Sequence, residues 1–173
     1  VQMPSDNPGT AYWANPSVFL FDINRSYSSD EFTYHSGENA IPGHFTIDLG
    51  AHTFLKKIKY SSRPPWNFTG NNPTEIEIWG RENLENASIS PDFEISGDEV
   101  VSSPASSESL ENAGWILIHS LTVDGQMEYN TEVEFNNDVR SRYIKIRYLN
   151  SVGGSACQFV EIGFSGFGYI TEN

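Results

Sequence analysis

The chain has 173 residues, with 23 acids against 10 bases for a formal charge of −13, and 38% of its residues are apolar. That balance argues against nucleic acid or an anionic membrane surface as partner, since both require a basic face. The length fits one domain, or one domain with a long insertion, with enough apolar content for a sizeable core, and the charge suits a soluble protein in a wet, exposed setting.

A single cysteine, Cys157, excludes an internal disulfide and a cysteine-built zinc site. Beside an apolar strand it reads as a small buried hydrophobe rather than a reactive thiol. No apolar run approaches membrane-spanning length and no signal peptide is visible. The chain starts at Val1 without an initiator Met, which reads as a processed or truncated chain.

Residues 1–16 are rich in Pro, Asn, Gly and Ser around Tyr12 and Trp13 and read as an ordered lead-in. A short apolar run, 18–21, ends at Asp22, and 24–36 is polar and loop-like. Residues 44–49 alternate apolar and polar as a strand, Gly50-Ala51-His52 makes a turn, and 54–60 is a second strand with Lys57 and Lys59 on the face opposite Ile58 and Tyr60. Segment 75–79 sets Ile76 and Ile78 on one face and two glutamates on the other. Residues 82–113 are dense in Ser, Glu and Asp and read as a solvated insertion with little reason to pack, partly ordered around Ile89, Phe93 and Ile95. Strands follow at 115–119, 132–135 and 143–148, the last with its bases outward. The final strand is 159–164, with Val160, Ile162 and Phe164 inward and Glu161 and Gly163 on the other face. About seven or eight short strands and no convincing amphipathic helix predict a β-sandwich or barrel.

The stretch 60–80 is the chemically distinctive one. It joins two strands through Pro64, Pro65 and asparagine- and glycine-rich turns, and carries Arg63, Trp66 and Asn67. Pro64 biases Arg63 towards extended geometry, so the loop is stiff. A five-donor cation beside a large apolar ring suits a sugar. The competing reading is a surface arginine with a tryptophan folded back over the end of the sandwich.

The ordered set FTIDLG at 45–50, Arg63, Pro73 with Ile76, Ile78, Trp79 and Gly80, then Gly114-Trp115, RYIKI at 142–146 and VEIGFSG at 160–166 resembles the discoidin, or coagulation factor type C, domain. The bacterial relatives of that family include the family 32 carbohydrate-binding modules. The resemblance covers about residues 18–168, interrupted by the acidic insertion. NPTEIEIWG further resembles a branch found in surface lipoproteins of gut Bacteroidetes, which accompany glycan uptake systems.

The resemblance implies an all-β jelly-roll sandwich of galactose-binding type, as a single domain over 1–173, without catalysis and with ligand loops at one end. By analogy Arg63 would grip ring hydroxyls, helped by Asn67 or Asn71, with His35 or Glu38 joining from the earlier loop. The loop 150–158 lacks the aromatic that many members stack against sugar, so Trp66 or Tyr34 would supply that face. The resemblance also implies a structural calcium, with Asp22 and Asn24 from an early loop and Glu161 from the last strand, since calcium takes six to eight oxygens. The competing reading has Asp22 capping a turn and Glu161 paired with a base such as Arg25.

No nucleophile elbow, phosphate-binding glycine loop or His pair at metal spacing is present. His35, His44, His52 and His119 are scattered, and nothing selects a glycosidase-like carboxylate pair from so many acids. Asn67 and Asn86 begin N-glycosylation sequons, a pattern common by chance. These residues read as a non-catalytic carbohydrate-binding module of a secreted, periplasmic or cell-surface protein of a Gram-negative bacterium. Its ligand would be a glycan of galactose or N-acetylhexosamine type, held beside other domains of a parent protein. The alternative is a protein-interaction or structural module within a larger surface protein.

Overall fold

A computed structural model describes residues 34–36, 39–61, 70–87, 93–96, 99–102, 106–123, 130–136 and 138–169. Among them the elements run β1 Tyr34–His35, β2 Gly43–Ser61, β3 Pro73–Arg81, β4 Phe93–Ser96, β5 Glu99–Ser102, α1 Ser107–Asn112, β6 Ile116–Thr122, β7 Asn130–Glu134, β8 Arg140–Ser151, β9 Gln158–Phe159 and β10 Glu161–Tyr169. Every pairing is antiparallel. The main sheet runs β10-β2-β8-β3-β6, with β7 also on β2, and small β1-β9 and β4-β5 pairs complete the set. This is the expected β-sandwich.

Its core gathers the inward residues of alternating strands. Phe45, Ile58, Tyr60, Ile76, Ile78, Ile144, Ile146 and Ile162 pack with Tyr34, Cys157 and Phe159 from the β1-β9 layer. Each fully buried large side chain contributes about 1.5–3 kcal/mol. Burial also pushes the Cys157 thiol well above its ordinary range, so the group is inert packing.

In place of two strands and a turn, β2 is one continuous element. Its first half pairs with β8, and from His52 onward it pairs with β10 on its other edge. The anticipated turn is a register shift between Asp48 and Thr53. Gly50 takes φ 75° there, a left-handed value that favours glycine, and its N–H donates to Oδ1 of Asp48 at 2.8 Å.

The bases of β8 are not outward in the expected sense. Lys145 is fully buried and Arg147 nearly so. The Lys145 ammonium donates to Thr46 Oγ1 at 2.7 Å and sits 4.8 Å from the centre of the Trp115 ring. Arg147 Nη1 meets Glu77 Oε2 at 2.9 Å, and Trp79 Nε1 donates to the same oxygen. What covers them is the acidic insertion, whose two ends do pack. Leu84, Ala87, Leu110 and Ala113 close with Trp79 and Trp115 into a second core. An unexpected helix, α1, supplies Leu110. It is capped by Ser106, whose Oγ accepts the Ser109 N–H at 3.1 Å. Of the three apolar residues expected to order the insertion, Phe93 and Ile95 lie in β4, paired with β5, and Ile89 lies outside the described residues.

Candidate functional site

At one end of the sandwich, segments from distant parts of the chain are laced together by backbone bonds. The Gln158 N–H donates to Asn71 O at 2.8 Å, Val152 N–H to Asn72 O at 3.0 Å, Ser36 N–H to Cys157 O at 2.9 Å and Ala40 N–H to Ser155 O at 3.0 Å. The 150–158 loop therefore lies on 70–72 and on Ser36 and Ala40. Its glycines make this closeness tolerable. A Cβ on Gly153 would stand 2.3 Å from Gly70 O, and Gly154 holds φ 75° in a turn closed onto Ser151.

This lacing juxtaposes His35 and Asn71. Nδ2 of Asn71 lies 3.0 Å from Nε2 of His35. An amide nitrogen donating there leaves the imidazole proton on Nδ1. His35 is directly opposite Gln158 in the β1-β9 ladder. Tyr34 and Phe159 take the core side, so His35 and Gln158 share the opposite face as cross-strand neighbours, where both are also buried. Gln158 was not anticipated as a site residue. Among the described residues its Oε1 is buried with no hydrogen-bond partner. Only the fold pairs positions 35 and 158; nothing in NSVGGSACQ announces it.

Tyr34 does not fill the expected stacking role. It is fully buried, its ring 4.8 Å from that of Phe45, and its hydroxyl lies 2.9 Å from that of Tyr148. Alternation within a two-residue strand sends Tyr34 into the core when His35 faces out. Arg63, Trp66 and Asn67, with Glu38, Asp22 and Asn24, lie outside the described residues. The ends of the 62–69 loop are described. Ser61 accepts from Val160 N–H at 2.9 Å, and Gly70 abuts Gly153, beside Asn71. The loop thus begins and ends at the His35–Asn71 end of the sandwich.

Glu161 is half-buried in β10, opposite Ser61, and shares a surface groove with Lys57 and Lys59. With Glu132 also in that groove, two carboxylates beside two ammonium groups do not themselves make the oxygen shell that calcium needs. No cluster of three or more His, Cys, Asp or Glu suited to a metal occurs among the described residues.

Comparison with curated protein sequences gives no match. Solved structures match in fold. A SusE-like protein gives a TM-score of 0.64 at 19% identity over 98% of this chain and 64% of that one, so this chain spans under two thirds of its length. The C-terminal domain of a chitobiase from Bacteroides fragilis gives 0.59 at 13% identity, covering 98% and 93% of the two chains. The family 32 carbohydrate-binding module of NanJ from Clostridium perfringens, solved in complex with galactose, gives 0.56 at 16% identity, covering 94% and 87%. A family profile described as a domain of unknown function matches residues 21–166, and on that match the chain belongs to the DUF5000 family.

Proposed function

We propose that this domain is a non-catalytic carbohydrate-binding module of a secreted or cell-surface bacterial protein, of discoidin-like lineage, that holds a glycan at the loop end of the sandwich. The observation that carries the reading is the polar cluster of His35, Asn71 and Gln158, set where the 62–69 loop is anchored. The imidazole and the Asn71 amide offer both donors and acceptors to ring hydroxyls, with Gln158 packed beneath them. Arg63 and Asn67 add hydrogen bonds and Trp66 the apolar face that Tyr34 does not provide. Fold neighbours that were solved with galactose and with GalNAc-β-1,3-galactose support these sugar classes.

A glycan array followed by titration tests the reading. Binding to galactose- or N-acetylhexosamine-terminated glycans, weakened in Arg63→Ala, Trp66→Ala, His35→Ala and Asn71→Ala, supports it. A blank array, or unchanged affinity in all of these variants, removes it. A calcium ion on Asp22, Asn24 and Glu161 stays a separate proposal on which no sugar contact depends. A thermal midpoint that rises with calcium, and not in Glu161→Gln, supports it; identical curves with calcium and with chelator remove it.

One observation favours the second reading, a module that packs on neighbouring domains. Strand β6 ends the main sheet's order and leaves Ile116 and Leu117 about half exposed. Iodide quenching of tryptophan fluorescence that no sugar alters would favour it.

A further inference from the structure

A groove of about 440 Å3 runs over the outward face where β10, β2 and β7 lie side by side, lined among others by Lys57, Lys59, Glu132, Glu161, Gly163 and Phe164. The register builds it. Lys57, Lys59 and Ser61 alternate outward along β2, opposite Ser165, Gly163 and Glu161 of β10 on one side and Glu134, Glu132 and Asn130 of β7 on the other. Its size lies within the usual range for ligand clefts.

Gly163 keeps it open. A Cβ there would meet nothing within 4 Å, and its backbone is not in the left-handed region, so neither packing nor conformation calls for glycine. What the missing side chain leaves is the empty floor beside Lys59.

The lining also selects a ligand. Two ammonium groups and two carboxylates face the same space. An anion would meet Glu132 and Glu161, and a cation would meet Lys57 and Lys59. A neutral ligand dense in hydroxyls suits both, because each hydroxyl donates and accepts. The Lys57 Nζ lies 3.0 Å from Glu132 Oε2 and 3.3 Å from Glu134 Oε1, and this group of charges matches neighbouring hydroxyls, one accepting from the ammonium and the next donating to a carboxylate.

The groove is also continuous with the loop end. It starts at Ser61, the residue before the 62–69 loop, and follows β2 to Lys57, four residues or about 13 Å of strand. We propose that this sheet face is a second carbohydrate subsite, which takes the inner units of a neutral linear oligosaccharide whose end unit sits at the His35–Asn71 loops. The proposal rests on the carbohydrate-binding reading above and turns the ligand from a single terminal sugar into a chain.

The probes are galactose, N-acetylgalactosamine and neutral linear oligosaccharides of about two to four units that carry those termini, screened on an array and titrated calorimetrically in chelator. For the wild-type domain, affinity should rise about tenfold from the monosaccharide to the trisaccharide, the worth of one or two added hydrogen bonds. Gly163→Val should cancel that rise and leave monosaccharide affinity in place, and Lys59→Met should reduce it without filling the space. An affinity independent of chain length, or a rise that persists in both variants, overturns the groove while monosaccharide binding sensitive to His35→Ala keeps the loop site. No binding to any probe overturns the carbohydrate reading and this inference with it.

Discussion

Nη1 of Arg147 lies 2.9 Å from Oε2 of Glu77, the two side chains only 6% and 12% exposed, beneath the helix that closes the acidic insertion. The pair joins neighbouring strands, β8 and β3, directly opposite each other in register. Ser107 of α1 approaches both members, so the ion pair is also where the insertion docks.

Breaking one side of such a pair strands a buried charge. Arg147→Met is therefore expected to cost about 3–5 kcal/mol, whereas Arg147→Met combined with Glu77→Leu should recover most of the loss. Urea unfolding of the single and double variants reads this. A loss in the double variant equal to the sum of the losses in Arg147→Met and Glu77→Leu would show that the charges are not coupled.

The Tyr34–Tyr148 hydroxyl bond separates a core role for Tyr34 from a ligand role. Tyr34→Phe should destabilise by about 1 kcal/mol and leave glycan affinity unchanged. Tyr148→Phe should cost a similar amount, and the double variant should cost little more than either alone. A loss of sugar binding in Tyr34→Phe would return the residue to the site.

Arg142 places Nε and Nη2 on the two carboxylate oxygens of Asp48, at 2.9 and 3.1 Å. That fork holds the Asp48 carboxyl below its usual value of 3.8, while partial burial opposes it. A carboxyl lowered on folding adds stability that is present above the unfolded value, about 3.9, and is lost as pH falls through the folded one. Arg142→Met should thus melt below wild type at neutral pH, and the gap should close in acid below about pH 4. A gap that stays constant with pH would detach the effect from Asp48.

Gly153→Ala forces a methyl group against Gly70 O, 2.3 Å from the ideal Cβ position. Overpacking of this kind costs about 1–3 kcal/mol. Because Asn71 follows Gly70, the variant should also weaken glycan binding. Gly154→Ala would be strained by its positive φ instead, with nothing near its Cβ. Thermal melts and titrations of the two variants distinguish displacement of Asn71 from simple loss of stability.

How much was legible in the chain varies by scale. The alternation of Ile76 and Ile78, or of Ile144 and Ile146, reports directly which faces are buried, and a sandwich follows from many such strands. Alternation could not show that the opposite face of β3 and β8 is buried as well, because Lys145 and Glu77 look like solvent-facing residues until Trp115 and α1 are placed over them. A polar segment such as 82–113 looks unpacked on average composition, yet a handful of apolar residues near its two ends suffices for a second core. The family pattern named His35 and Asn71 separately, and the fold brings them within hydrogen-bond distance. Gln158 was not readable, because its meaning depends on a strand pairing across more than a hundred residues. Tyr34 was misjudged because a two-residue strand is too short to display its own alternation.

The second core also bears on how this chain can be remade. Trp115 Nε1 donates to Ala87 O at 3.0 Å, so the strands on either side of the insertion are clasped together at its base. Leu84 and Ala87 on one side and Leu110 and Ala113 on the other meet around Trp79 and Trp115 at that clasp. The clasp defines a graft point. A foreign loop, a tag or a whole domain inserted between Ala87 and Leu110 would be flanked by residues buried in the second core. Two fragments divided at the same place would carry matching tryptophans, Trp79 in one and Trp115 in the other, by which to reassemble.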